Sequence, residues 1–239
     1  MISVIVPAYN EENRIMKTLD ALCAFLSAAY PPEEYEILVI DDGSTDKTRE
    51  VVNSHSGKNL SLLGYGENRG KGAAVKYGVQ HAKGDYLVFT DADLPYAPEN
   101  IEKAVRLMKD ESVDVVLGSR KEKDNGRKYP LYRKLMSGGF SLVVNLILNL
   151  RVPDTQCGFK AFTKRAAEAI FAKSTLTGWG FDVELIFLAK KKGFLLGRLP
   201  VELFHDNEGS KVRALRDAVQ MFREVRTVRK NDKKGIYNT

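Results

Sequence analysis

Short runs of Val, Ile and Leu alternate, over the first 120 residues, with longer stretches in which apolar positions recur every three or four residues. That rhythm predicts βαβ units and a mostly parallel sheet flanked by helices, an α/β fold. Strands are expected at Ile2–Val6, Glu36–Ile40, Leu60–Leu63, Asp85–Thr90 and Val113–Gly118, the third weakened by Ser61 and Gly64. Ile15, Leu19, Leu22 and Leu26 mark one face of a first helix. Thr45–Ser54, Gly72–His81 and Pro98–Lys109 supply three more, with Pro98 suited to a first helical turn. Beyond residue 120 the rhythm changes. Charged, glycine-containing Lys121–Lys128 reads as a loop, and Leu131–Leu150 as a long, largely apolar helix. A strand at Phe159–Thr163, a helix at Phe181–Lys192, an extended strand at Phe194–Leu203 and a helix at Ala214–Arg229 follow. No repeat, low-complexity tract or linker interrupts the chain, so one domain spanning residues 1–239 is expected.

Composition narrows the class. An apolar content of 44% in 239 residues supports a sizeable core and excludes a disordered chain. Cys23 and Cys157 are too few for a disulfide framework and too far apart for a zinc knuckle, which points to a reducing compartment. Met1–Pro7 has no basic region before its apolar run, so a secretory signal is not expected. The longest apolar stretch, Phe140–Leu150, is broken by Asn145 and Asn149 and falls short of the roughly 20 residues a spanning helix needs. The net charge of +6 is local: Lys211–Lys234 carries nine basic residues against three acidic ones, and the rest of the chain is balanced. A general polyanion-binding surface is therefore not implied, but a basic C-terminal helix facing phosphates or an anionic surface is.

In open α/β sheets ligands bind beyond the carboxyl ends of the strands, so the residues after each strand carry the candidate chemistry. Strand one ends in Pro7-Ala8-Tyr9-Asn10-Glu11, strand two in Asp41-Asp42-Gly43-Ser44, strand four in Asp91-Ala92-Asp93 and strand five in Ser119-Arg120. Two carboxylates one residue apart suit a hard cation, Mg²⁺ or Mn²⁺, shared with a diphosphate; aspartate is also simply a good turn residue. Ser44, Thr45 or Asp46 equally serves as a helix cap. Asn68-Arg69-Gly70-Lys71-Gly72 opens a helix and suits either an anion at a helix N-terminus or a plain helix start. Its spacing is not that of a Walker loop, and no Gly-x-Gly-x-x-Gly follows strand one.

These motifs, in this order, resemble those of family 2 glycosyltransferases with the GT-A fold, and specifically the polyprenyl-phosphate glycosyltransferases. Asp154-Thr155-Gln156-Cys157-Gly158-Phe159-Lys160, Trp179-Gly180-Phe181-Asp182-Val183-Glu184-Leu185 and Glu208-Gly209-Ser210-Lys211 extend the resemblance through the second half. They are closer to dolichyl-phosphate β-glucosyltransferases than to dolichyl-phosphate mannose synthases. The resemblance implies a Rossmann-like GT-A fold, with residues 1–120 as the nucleotide-sugar half and 121–239 as the acceptor half. It implies that Pro7, Ala8, Tyr9, Glu11, Asp41, Asp42, Gly70, Lys71 and Asp91-Ala92-Asp93 hold the donor, and that Asp91 and Asp93 bind the divalent metal. Arg120, Arg133, Ser137, Lys211 and Arg213 are implied around the acceptor phosphate, with Arg120 and Arg133 counted among the catalytic groups beside Asp91 and Asp93.

The activity so implied is inverting transfer of a hexose, glucose from UDP-glucose, to dolichyl or another polyprenyl phosphate at the cytoplasmic face of a membrane. A phosphate acceptor is largely dianionic at neutral pH and needs no catalytic base. Three other readings stand beside it: a GDP-mannose-dependent synthase, a soluble family 2 enzyme with a saccharide acceptor, and a noncatalytic membrane- or nucleic-acid-binding module. The second requires a base, for which Asp154 or Asp182 is available. The third is opposed by carboxylates that repel phosphate unless a metal intervenes, so nucleic acid is not expected as a partner. His55 and His81 read as surface residues, His205 as structural or a further metal contact, Cys157 as packing, and Trp179 as either core or sugar platform. Leu215, Ala218, Val219, Phe222 and Val225 form a stripe that rests either on the protein or on lipid headgroups.

Overall fold

The computed structural model describes residues 1–120, 144–178, 180–201 and 214–238, with the side chains of 214–219 and 221 left aside. Its seven strands are β1 (Ile2–Ala8), β2 (Tyr35–Asp42), β3 (Leu60–Tyr65), β4 (Tyr86–Phe89), β5 (Val115–Ser119), β6 (Lys160–Thr163) and β7 (Leu196–Pro200). They form one sheet in the order β3-β2-β1-β4-β6-β5-β7. Every neighbouring pair is parallel except those of β6, which runs antiparallel to both β4 and β5.

The helices are α1 (Ile15–Ala29), α2 (Thr48–Ser54), α3 (Lys71–His81), α4 (Glu99–Asp110), α5 (Lys164–Phe171), α6 (Phe181–Lys191) and α7 (Ala214–Lys233). Two apolar clusters lie against the sheet. One gathers Leu19, Leu22 and Leu26 of α1 and Ile101, Ala104 and Val105 of α4. The other gathers Val75 of α3, Ile170 of α5, Leu185 of α6 and Val225 of α7. Covered from both sides, β1 is buried at every position, which is why it reads as a continuous apolar run instead of an alternating one.

Several elements differ from the sequence expectation. β1 and β2 run on to Ala8 and Asp42, because the parallel register pairs Pro7 with Ile40 and Ala8 with Asp41. Pro7-Ala8 and Asp41-Asp42, expected at the donor, therefore lie in strand, not in the loops beyond. β7 is shorter at both ends, since Gly193, at φ +75, turns the chain before Leu196. α5 was not anticipated; Thr163 caps it, accepting from the Ala166 N–H at 3.3 Å, and Ala166, Ala167, Ile170 and Phe171 bury one face. Of the long helix expected at Leu131–Leu150, residues 144–148 are helical and the rest up to 143 lies outside the described residues, as does the loop Lys121–Lys128.

The C-terminal helix is tied down from within. Of its expected apolar stripe only Phe222 and Val225 have described side chains: Val225, like Val228 beyond it, is buried in the core, and Phe222 is exposed. Beyond it, the buried Tyr237 donates its hydroxyl to Glu184 at 2.6 Å, and Glu184 also accepts from the backbone N–H groups of Thr175 and Leu176. Burial first, and then this carboxylate, push the Tyr237 hydroxyl up to about 12. Among the described residues no helix is long and apolar enough to cross a membrane.

Candidate active site

Parallel pairing brings the carboxyl ends of β1, β2, β4 and β5 to one edge of the sheet, and side chains then lock the loops there together. Asn10, at φ +55, accepts from the Thr45 N–H at 2.9 Å, while its own N–H donates to the Ser44 hydroxyl at 3.0 Å. The Glu11 N–H donates to Thr48 at 2.8 Å, and the Glu11 carboxylate pairs with Arg14 at 2.7 Å. Tyr9 is left exposed on this rim.

Asp41 and Asp42 are both buried and both braced. Asp41 accepts from the Ser44 N–H and from Arg49 at 2.9 Å. Asp42 accepts from Tyr65, from the Asn68 amide and from the backbone N–H groups of Arg69 and Gly70, the last two at 2.9 Å. It thereby pins the turn that starts α3. Burial, and then Asp42, push the Tyr65 hydroxyl well above its ordinary range. Gly70 is required in this turn: its φ is +95, and a Cβ there lies 2.5 Å from the Thr177 carbonyl oxygen. The Gly72 N–H donates to that same carbonyl at 3.0 Å. The N–H groups of residues 69, 70, 72 and 73 are thus bonded inside the chain; of the turn's two cations, Arg69 is exposed over the Tyr65 ring and Lys71 is turned to the carboxylates beside β4.

Three cation–carboxylate pairs follow along β4, β6 and β5. Lys71 pairs with Asp91. Burial opposes its charge, but Asp91, Asp182 and Asp93 outweigh that and hold the ammonium above its usual range. Lys160, at 1% exposure, pairs with Asp182, at 7%, and donates to the Cys157 carbonyl at 2.7 Å. Arg120 grips Asp154 with a two-toothed fork, Nε to Oδ2 at 2.8 Å and Nη2 to Oδ1 at 2.9 Å. Burial pulls the Asp154 carboxyl up, but the Arg120 fork and the N–H groups of Arg120 and Gln156 hold it below the usual carboxylate range.

The reversed direction of β6 creates this row. Lys160 pairs in register with both Phe89 and Leu117, so the segment 154–160, which enters β6 at its amino end, meets the carboxyl ends of β4 and β5. In sequence Lys160 carries no assigned role and Asp182 stands only as a base for a saccharide acceptor. The available signal was a lysine heading the otherwise apolar strand Lys160–Thr163.

Asp91 and Asp93 share the turn after β4, whose Leu94 has φ +43. Asp91 is packed so closely that a Cβ on Gly158 falls 2.0 Å from its Oδ2. The Thr90 hydroxyl beside it is buried without a hydrogen-bond partner among the described residues. Two carboxylates one residue apart on this turn offer hard oxygen ligands of the kind that suits Mg²⁺ or Mn²⁺. Among the described residues no third acidic, His or Cys side chain joins them. Arg133, Ser137, Trp179, His205, Lys211 and Arg213 lie outside the described residues.

The profile of glycosyl transferase family 2 matches residues 3–171. The chain belongs to that family. It is 34% identical over 249 residues to the dolichyl-phosphate beta-glucosyltransferase of Dictyostelium discoideum, spanning 99% of this chain and 76% of the relative. It is 36% identical over 238 residues to the enzyme of the same name from Drosophila melanogaster, spanning 94% and 73%. In fold it resembles the glucosyl-3-phosphoglycerate synthase of Mycobacterium tuberculosis, solved in complex with Mn²⁺, UDP and phosphoglyceric acid. That likeness has a TM-score of 0.72 at 18% identity and covers 95% of this chain and 78% of the other.

Both histidines among the described residues have local partners. His55 sits with Nε2 at 3.2 Å from Asp20 and accepts the Gly57 N–H on Nδ1, while His81 contacts the Tyr77 carbonyl at 2.8 Å. Neither ring reaches the carboxylate row.

Proposed function

We propose that this glycosyltransferase moves glucose from UDP-glucose to dolichyl or another polyprenyl phosphate, with inversion, at the cytoplasmic face of a membrane. One observation carries the choice of acceptor. The two carboxylates that a neutral hydroxyl acceptor needs as bases, Asp154 and Asp182, are each held by a cation, the Arg120 fork and the buried Lys160. The fork holds Asp154 below the usual carboxylate range, which makes it a poor proton acceptor, and the Lys160 ammonium occupies Asp182. The acceptor then has to arrive already ionised, as a lipid phosphate does, its second pKa being about 6. The names of the relatives agree with this chemistry.

In this reading residues 1–120 bind the donor and residues 121–239 the acceptor. Pro7, Ala8, Tyr9, Glu11, Asp41 and Asp42 form the nucleoside side, the first four as a wall and the two aspartates as braces that keep the loops in place. Asp91 and Asp93 hold the divalent cation, which when bound supplies charge neutralisation to the departing nucleoside diphosphate. Lys71, which pairs with Asp91, would supply its ammonium to the same diphosphate. Arg120 spends Nε and one Nη2 hydrogen on Asp154 and presents its remaining N–H groups to the acceptor phosphate, fixing an oxygen in line with the sugar C1. Arg133, Ser137, Lys211 and Arg213 complete that ring. A single displacement, with no proton to move, inverts the anomeric carbon.

Calorimetric titration with UDP, GDP, UDP-glucose and GDP-mannose, with and without Mn²⁺ or Mg²⁺, tests the donor. Transfer to a short, soluble prenyl phosphate against a free saccharide tests the acceptor. Metal-dependent uridine binding and transfer to the prenyl phosphate are expected. A guanosine preference makes the enzyme a mannosyl synthase, and transfer to the saccharide alone overturns the acceptor assignment.

A further inference from the structure

Away from the carboxylate row, a groove of about 310 Å³ opens between the edge strand β7, the carboxyl end of α6 and the segment 150–152. Leu117, Val152 and Phe194 contribute to its apolar lining, and Arg151, Lys190 and Arg198 bring three exposed cations to it. Among the described residues none of the three meets a carboxylate. Lys190 donates to the Leu150 carbonyl, Arg198 to the Arg151 carbonyl at 3.3 Å, and Arg151 to the Asn149 side-chain oxygen at 3.3 Å. The nearby acid of α7, Asp232, is taken by Lys191 at 2.6 Å. Burial first, and then the charges of Arg151 and Arg198, hold Lys190 below its usual range, and the cluster gathers positive charge that no carboxylate among the described residues answers.

We propose that this groove seats the phosphodiester headgroup of an anionic membrane lipid, and so holds the bilayer surface beside the acceptor site. The cations match the phosphate. The apolar lining matches what a lipid has next to its phosphate and a small soluble anion does not. Two leucines extend the apolar character outward: Leu195, in the groove wall, is 59% exposed, and Leu146, on the helical segment leading into 150–152, is 74% exposed. The placement is short-ranged. Val152 is two residues from Asp154, which grips Arg120, and Leu117 is three residues of β5 from Arg120 itself, roughly 10 Å of extended chain, while Leu195, bonded to Asp114, marks the end of the groove farther from that edge. A bilayer met here presents a prenyl phosphate to Arg120 without any spanning helix. The role rests on the reading that the acceptor is a lipid phosphate, whereas the headgroup seat is measurable without it.

The test is sedimentation of the full chain with phosphatidylcholine vesicles, with and without phosphatidylserine, alongside transfer to a short, soluble prenyl phosphate. Each basic residue facing an anionic surface contributes about fivefold in partitioning. Neutralising all three, Arg151→Gln, Lys190→Gln and Arg198→Gln, is expected to weaken binding to the serine-containing vesicles by roughly a hundredfold while leaving soluble transfer intact. The pair Arg151→Gln and Arg198→Gln keeps the Lys190 bond to Leu150 and is expected to lose about 25-fold, should the triple variant not fold. Neutralising Lys17, Lys58 and Lys103, exposed on other elements, is expected to change little. Undiminished binding by the groove variants, equal loss in the control set, or equal sedimentation with phosphatidylcholine alone each overturns the proposal. If the wild type binds anionic vesicles through this groove but fails to glucosylate the soluble prenyl phosphate, the headgroup seat stands and the acceptor reading falls.

Discussion

Asp182→Asn separates a carboxylate that takes a proton from one that holds a lysine in place. Asp182 and Lys160 are both buried and paired, and the other acceptor of the ammonium among the described residues is the Cys157 carbonyl. The amide keeps an oxygen for Lys160 but removes the counter-charge. Breaking a buried pair from one side costs about 3–5 kcal/mol, and the retained oxygen places this variant near 3 kcal/mol. In a chain of this size each kcal/mol moves the melting temperature by about 2–4 °C, so a fall of roughly 6–12 °C is expected. Urea unfolding should show a lower midpoint at an unchanged slope. Assayed well below its melting temperature, the variant should keep kcat within about tenfold of wild type, whereas loss of a general base removes on the order of 10²–10⁴. The double variant Lys160→Met with Asp182→Leu should recover about 1–3 kcal/mol relative to the sum of its singles. A fully stable Asp182→Asn enzyme with kcat down a thousandfold would refute the clamp and restore Asp182 as a base.

Gly158→Ala places a methyl group 2.0 Å from the Asp91 carboxylate and should displace it; the check is metal-dependent UDP binding, expected to weaken at least tenfold while the far-ultraviolet dichroism stays unchanged. Asp93→Ala should abolish both transfer and metal-dependent nucleotide binding, and full activity in that variant removes the metal assignment. Tyr237, pushed up to about 12, stabilises the fold below about pH 10; that contribution is lost as pH rises through the folded value, at roughly 1.4 kcal/mol per pH unit. Tyr237→Phe should cost about 1 kcal/mol at neutral pH, because Glu184 retains its Thr175 and Leu176 donors, and should flatten the alkaline arm of the stability profile.

Local pattern was enough to locate the strands and most helices, since burial on one helix face or on both faces of a strand is written in the residues themselves. It was enough, too, to gather Asp41, Asp42, Asp91 and Asp93 at one sheet edge: each pair ends an apolar run, and parallel strands send such ends the same way. Helix α5 escaped because its eight residues carry only two turns of pattern between stronger neighbours. What remained hidden was partnership. Periodicity reports whether a side chain is covered, not by what, so Lys160 read as one more strand residue and Asp154 and Asp182 as free carboxylates. Only the folded chain, by inserting β6 against the direction of β4 and β5, carries Lys160 and Asp154 to the donor edge and gives each its counter-charge. Strand direction is decided by contacts between residues far apart in sequence, and with it was decided which carboxylates are left to act.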